Sequence, residues 1–278
     1  MAPKQIAKIV LPYFDFLIPK SAVRLKRLSG NIFRGDVLVC SGCGYGVLNK
    51  RLSEHDLLSF YANQYWRARN VQSMVSNTSD FKRDPRANHQ VRFIHPYLKQ
   101  RKMHKLLEIG AGRALVLQHL RDKCFPNSEL YVCEPGREWD DYYLERQLER
   151  IDEFFPFKTG RKFDYIHTSH WLEHVLELEE TVNTLHKLLS PKGIVFVEVP
   201  NTEHYYWDLG ETDNPHIHFF TKSSLRNIFD RFSFECIEMG EFGITFQDRN
   251  MGNRADMKDF GPKSKGFWIR ALFQKKTS

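Results

Sequence analysis

Gly110 and Gly112, in the run 107–113 (LEIGAGR), are the residues of this 278-residue chain whose spacing points most directly to chemistry. Glycine lets the backbone turn tightly at both places and approach a ligand closely. A dinucleotide-binding turn wants a third small residue at position 115, where tight helix–strand packing goes with a bound pyrophosphate. This chain has Leu115 there. Glu108, just before the turn, repels a pyrophosphate and suits a ligand carrying an amine or another positive charge. Glu134 stands 22 residues after Gly112, where a carboxylate closing the next strand can accept both hydroxyls of a ribose. Together these residues describe a pocket for a nucleoside-type ligand with a cationic tail.

Histidines and cysteines supply the other candidates. His170, His174, His216 and His218 carry imidazoles with an ordinary pKa of about 6.5, which suits a proton acceptor at neutral pH. Glu173 and His174, with His170 and a later histidine, could also converge on one divalent ion; the expectation adopted is that no metal sits there. Cys40 and Cys43 (CSGCG, 40–44) have zinc-knuckle spacing, but a closed zinc site needs four ligands. Cys124, Cys133 and Cys236 fall in core elements, so a degenerate ribbon without metal is expected, and zinc only if other residues complete the set.

The elements that must position these groups begin at residue 105. Residues 105–109, 129–133, 163–168 and 194–199 read as buried strands, and 114–121, 139–150 and 176–189 as helices with apolar residues at helical spacing. Strands alternating with helices specify parallel βαβ units and a doubly wound sheet covered on both faces. The tail reads as a helix at 223–231, a strand at 234–239, a loop at 240–261 and a strand at 267–273. Two closing strands fit an α/β fold with a seven-stranded, mostly parallel sheet whose last strand inserts antiparallel. Upstream, 91–100 and 57–69 are expected to be helical. The expected division is a basic, ribbon-like appendage with a helix over 1–84 and the ligand-binding domain over 85–278.

The run 107–112 (LEIGAG), Glu134, the strand 163–166 followed by 171–175 (WLEHV), and 191–194 (PKGI) before 198–201 (EVPN) resemble class I S-adenosylmethionine (SAM)-dependent methyltransferases over about residues 85–240. The branch with an LEHV signature and a late HFFTKSSL element, here 218–225, looks nearest; it is common in polysaccharide and secondary-metabolite pathways, and its members often carry a four-cysteine ribbon ahead of the domain. The resemblance implies SAM as cofactor, with Glu108 and Gly110 near its amino-acid part and Gly112 allowing close approach. It implies Glu134 on the ribose, Ile151 and Asp152 beside the adenine, and Ser169 and His170 at the methyl end. Tyr61 and Tyr65 resemble the aromatic segment that folds over the cofactor. His170 ranks first as base, ahead of His216 and His218 from the excursion after the fifth strand, which commonly forms the acceptor wall; His174 is expected to be structural.

The acceptor is expected to be a sugar, a nucleotide-sugar or a glycan-type small molecule, methylated on oxygen. Charge supplies the competing reading. Residues 1–105 hold 19 Lys and Arg against six Asp and Glu, a basic part that attracts phosphates, so an RNA-modifying enzyme is the second expectation and a non-catalytic subunit of the same fold the third. Self-association into a homo-oligomer is compatible with either enzyme reading. No stretch is apolar and long enough for a membrane span, and an odd number of cysteines does not suit a disulfide framework. A cytoplasmic protein is the expectation.

Overall fold

The structure, a computed structural model, describes residues 23–28, 35–49, 52–62, 84–203, 216–245 and 260–276. The chain opens with strands β1 (Val23–Leu28), β2 (Gly35–Cys40) and β3 (Gly46–Leu48), then helices α1 (Glu54–Phe60) and α2 (Pro85–Leu98). Strand β4 (Lys105–Ile109), helix α3 (Leu115–Lys123), strand β5 (Glu129–Cys133), helix α4 (Asp140–Glu145) and strand β6 (Leu148–Asp152) follow. Strand β7 (Phe163–Ser169), helix α5 (Leu178–Leu188), strands β8 (Leu189–Pro200) and β9 (His218–Phe219), helix α6 (Lys222–Arg231), and strands β10 (Phe234–Thr245) and β11 (Gly266–Lys275) complete it.

Seven strands form the central sheet in the order β10-β11-β8-β7-β4-β5-β6. Strands β6, β5, β4, β7 and β8 run parallel, whereas β11 is antiparallel to both β8 and β10. This is the expected doubly wound sheet with its antiparallel final strand. From β4 the chain winds to one side through β5 and β6, then crosses to the other through β7 and β8. The crevice for a ligand therefore opens where β4 and β7 end side by side.

Alternate residues of each strand feed opposite cores. Leu107, Ile109, Ile166, Val195 and Val197 pack with Val182 and Leu185 of α5 and Ile228 and Phe229 of α6. Leu106, Leu130, Val132, Tyr165 and Phe196 pack with Val91 and Ile94 of α2 and Leu117 and Leu120 of α3. Each such side chain, fully buried, contributes on the order of 2 kcal/mol. Caps fix the helix starts. Asp84 accepts from Ala87 N at 2.9 Å with Pro85 opening α2, and Thr221 and Ser224 form a capping box on α6.

Two elements differ from expectation. Residues 146–150 are not helical: α4 stops at Glu145, Gln147 takes a positive φ of 55°, and β6 pairs with β5 from Leu130↔Leu148 to Cys133↔Asp152. The otherwise unpaired edge of β5 outweighs local helix propensity there. Residues 240–245, expected to be loop, continue β10 against β11. The helix predicted over 57–69 is seen as α1 and two further helical residues, 61 and 62; Tyr65 and the rest of that prediction lie outside the described residues.

The N-terminal strands form a second, antiparallel sheet in the order β1-β2-β3-β9, closed by two residues from the excursion after β8. Its inner face is continuous with the main core, because Leu38, Cys40, Tyr45 and Val47 pack in the same cluster as Phe220 and Val199. Part of the appendage is thereby set against the mouth of the crevice.

Candidate functional site

The turn after β4 is built by left-handed backbone at Gly110 (φ 67°) and Gly112 (φ 46°). A Cβ at 110 would stand 3.0 Å from Trp171 Cδ1, so both conformation and space call for glycine. Glu134, buried at the end of β5, braces the turn. Its Oε2 accepts from Gly112 N and its Oε1 from Gly136 N, each at 3.0 Å. Tyr143 Oη donates to Gly112 O at 2.7 Å, and Arg150 donates to the carbonyls of Glu134 and Gly136.

Glu108 is buried beside this turn, and its Oε2 has no hydrogen-bond partner among the described residues. Burial, and then the charge of Glu134, push its carboxyl well above the usual carboxylate range. An unmatched buried acceptor is costly, so a donor or cation from a ligand would satisfy it.

A cavity of about 1080 Å³ opens on this turn. Its lining includes Glu108 to Val116, Glu134, Glu153 to Pro156, Ser169, His170, Trp171 and His174, with Leu57 and Tyr61 around α1 and Leu48 of β3. Asp152 itself is exposed and absent from the lining; its Oδ1 accepts from Glu153 N and Phe154 N at 2.7 and 3.2 Å. It thus shapes the loop whose next residues reach the cavity. Arg113 in the turn pairs with Asp84 at 2.9 Å, fastening the start of α2 to the same rim.

The end of β7 presents Ser169 and His170. Ser169 Oγ accepts from Gln90 Nε2 at 2.9 Å. His170 takes a positive φ of 52°, a strained choice for a non-glycine residue, and its N donates to Glu198 O at 2.8 Å. Its Nδ1 lies 3.2 Å from Glu173 Oε1 and its Nε2 3.4 Å from Glu198 Oε1.

Sequence reading had not given Glu198 a role beyond its place in EVPN. It is fully buried and receives Arg86 Nε at 2.7 Å, Gln90 Nε2 at 3.1 Å and Arg270 Nε. Burial alone would raise its carboxyl, but Arg86 and Arg270 outweigh that and hold it down at about 2. This cluster joins α2, β8 and β11 under the end of β7 and fixes Ser169 and His170.

The later histidines divide. His218 is buried with both ring nitrogens committed: Nε2 donates to Val175 O at 2.9 Å, and Nδ1 accepts from Tyr45 Oη at 2.7 Å. Burial holds it neutral, with its pKa down at about 4. A ring whose lone pair already faces a hydroxyl is poorly placed to take a proton, so the geometry gives His218 a bracing role. His216 is buried with its ring centroid 5.0 Å from that of His174. Burial, then His174, lower its pKa to about 3.

Cys40 and Cys43 occupy a turn in which Gly44 N donates to Cys40 O and Cys40 N to Tyr45 O. Thr221 Oγ1 donates to Cys43 O at 2.6 Å, docking that turn on α6. No set of metal-ligating side chains gathers around these cysteines among the described residues.

Comparison with known proteins fits this geometry. A model of the "methyltransferase domain" family matches residues 78–239. No curated protein matches the sequence. Among solved structures, a 1,6-didemethyltoxoflavin N1-methyltransferase from Burkholderia thailandensis, with S-adenosylhomocysteine bound, is similar at a TM-score of 0.55 and 14% identity, over 85% of this chain and 97% of that one. An S-adenosylmethionine-dependent methyltransferase from Clostridium acetobutylicum gives 0.53 and 9%, over 76% and 98%. The CcbJ methyltransferase from Streptomyces caelestis gives 0.53 and 12%, over 79% and 99%. At these identities the structural likeness speaks for the fold. The family match spans more than half of the chain, and the chain belongs to the methyltransferase domain family.

Proposed function

We propose that this SAM-dependent methyltransferase seats its cofactor on the turn after β4 and methylates a hydroxyl of a sugar, nucleotide-sugar or glycan-type acceptor, with His170 taking the proton. The observation that carries the cofactor's placement is Glu108 Oε2, a buried acceptor without a partner beside a glycine turn. The residues fit the group: Glu108 would hold its ammonium, Glu134 its ribose hydroxyls, and the loop at Glu153 to Pro156, which lines the same cavity, would border the adenine. When bound, SAM supplies a methyl already activated on a sulfonium. The chain's own residues must then align the acceptor, exclude water and hold a proton.

His170 lines the cavity with carboxylates 3.2 and 3.4 Å from its two nitrogens, so a positive charge gained on the ring is compensated. His216 lies outside the lining and His218 is already committed. The cavity of about 1080 Å³ lies just above the range for a single small ligand, roughly 300–1,000 Å³, which favours a second occupant beside the cofactor.

Methyl-labelled SAM presented with nucleotide-sugars, glycans and RNA tests the acceptor. Label on a sugar hydroxyl supports the reading. Label on RNA alone, with affinity that falls steeply as salt rises, would replace it with the second reading, which the surplus of Lys and Arg over residues 1–105 favours. Cofactor binding without transfer to any of them would leave the non-catalytic subunit.

A further inference from the structure

Glu173 lies in the 3-10 turn Leu172–His174, fully buried. Neither carboxylate oxygen has a hydrogen-bond partner among the described residues. A buried carboxylate without compensation is among the costliest arrangements in a protein interior, and interiors answer it with hydrogen bonds or a cation. Imidazoles are what gather around this one.

One ligating atom each from Glu173, His174 and His216 lies within 4.8 Å of the others. His174 Nε2 stands 3.7 Å from Glu173 Oε1. The arrangement is held by backbone: Ile217 N donates to Glu173 O at 2.8 Å, and next to it His218 Nε2 donates to Val175 O at 2.9 Å. These bonds strap the chain around His216 against the turn that carries Glu173 and His174. The three ligands come from two distant segments already fixed in place.

We propose that Glu173, His174 and His216 bind one divalent first-row transition ion of the zinc or cobalt type. Two imidazoles and one carboxylate are a mixed nitrogen and oxygen set that suits such ions. Magnesium and calcium want six or more oxygens. Metal–ligand distances of 2.0–2.2 Å place the ligating atoms of a tetrahedral site roughly 3.4 Å apart, so a contraction of up to about 1.4 Å from the 4.8 Å limit closes the set. His174 and His170 line the cavity, which leaves the fourth position open to water or to an oxygen entering from there. His170, with Nδ1 3.2 Å from Glu173 Oε1, is placed to orient the ligating carboxylate. The site departs from the expectation of no metal, uses neither Cys40 nor Cys43, and stands whether or not the acceptor is a sugar.

The test uses the full chain, stripped with a chelator and dialysed. Zinc is titrated calorimetrically, and cobalt is followed by its visible d–d absorption. One equivalent of each binds the wild type and the Cys40→Ser/Cys43→Ser variant. Glu173→Gln, which removes a buried charge at nearly constant size, weakens binding about 100-fold or more, and so does His216→Gln. Circular dichroism checks that both variants are folded; if one is not, the other decides. No saturable uptake by the wild type would overturn the proposal, and so would uptake left unchanged in the folded variants. Binding of magnesium in preference to zinc and cobalt would overturn the ion class. Titration of SAM into the same preparations reads the cofactor pocket separately.

Discussion

Replacing Glu134 with Gln isolates the carboxylate that braces the glycine turn and that we propose holds the cofactor's ribose. Its two oxygens each accept a backbone N–H at 3.0 Å, from Gly112 and Gly136. Glutamine keeps one acceptor and turns an NH₂ toward the second N–H. A hydrogen bond to a charged group is worth about 1.5–3 kcal/mol, and the donor left unmatched adds to its loss. Relief of repulsion on Glu108, whose carboxyl is raised by burial and then by Glu134, offsets part of that. The expected net is about 2 kcal/mol less stability by chemical denaturation. Ribose hydroxyls lose an anionic acceptor and the turn loosens, so calorimetric titration should show SAM Kd rising ten- to a hundredfold, about 1.4–2.8 kcal/mol. Affinity within threefold of the wild type would refute the ribose role, even if stability fell. Unchanged stability would refute the bracing role.

Gly110→Ala forces a side chain into left-handed backbone and against Trp171 at 3.0 Å; strain of about 1–3 kcal/mol should lower Tm and weaken SAM binding, both measurable in one thermal-shift series. His170→Ala should lower kcat by about 10²–10⁴ while SAM Kd stays within threefold; an unchanged kcat would remove His170 as the base. His167, stacked on Phe196 and fully buried, has its pKa lowered to about 3 by burial. The unfolded chain takes up a proton near pH 6.5 that the folded ring refuses, so the stabilisation is complete above pH 6.5 and is lost as pH falls from there toward 3. At pH 5 the loss is about 2 kcal/mol. His167→Phe should shrink the stability difference between pH 8 and pH 5 by about that amount, as read by urea unfolding.

The parallel core was legible because its strands are short apolar runs set between helices of regular spacing. Strand β6 was not. It lies at the edge of the sheet with Glu149, Arg150 and Asp152 among its five residues, so apolar alternation is missing and Leu148 and Ile151 sit at helical spacing. The glycine turn and Glu134 could be read because local backbone geometry demands those residue types at those places. The histidines could be read as candidates, but what sorts them is long-range. His218 is committed by Tyr45, 173 residues away. His170 is set by Glu198 and the arginines that hold it. Asp152 lies outside the lining with its Oδ1 accepting from its own loop, and nothing in residue spacing distinguishes that from a ligand contact.

A structure solved with S-adenosylhomocysteine tests the cofactor pocket most directly. The ribose hydroxyls should lie on Glu134, the amino group on Glu108, and the sulfur should point toward His170. Density for the nucleoside elsewhere, or a turn at Gly110 to Gly112 left vacant in crystals that contain the compound, would contradict it.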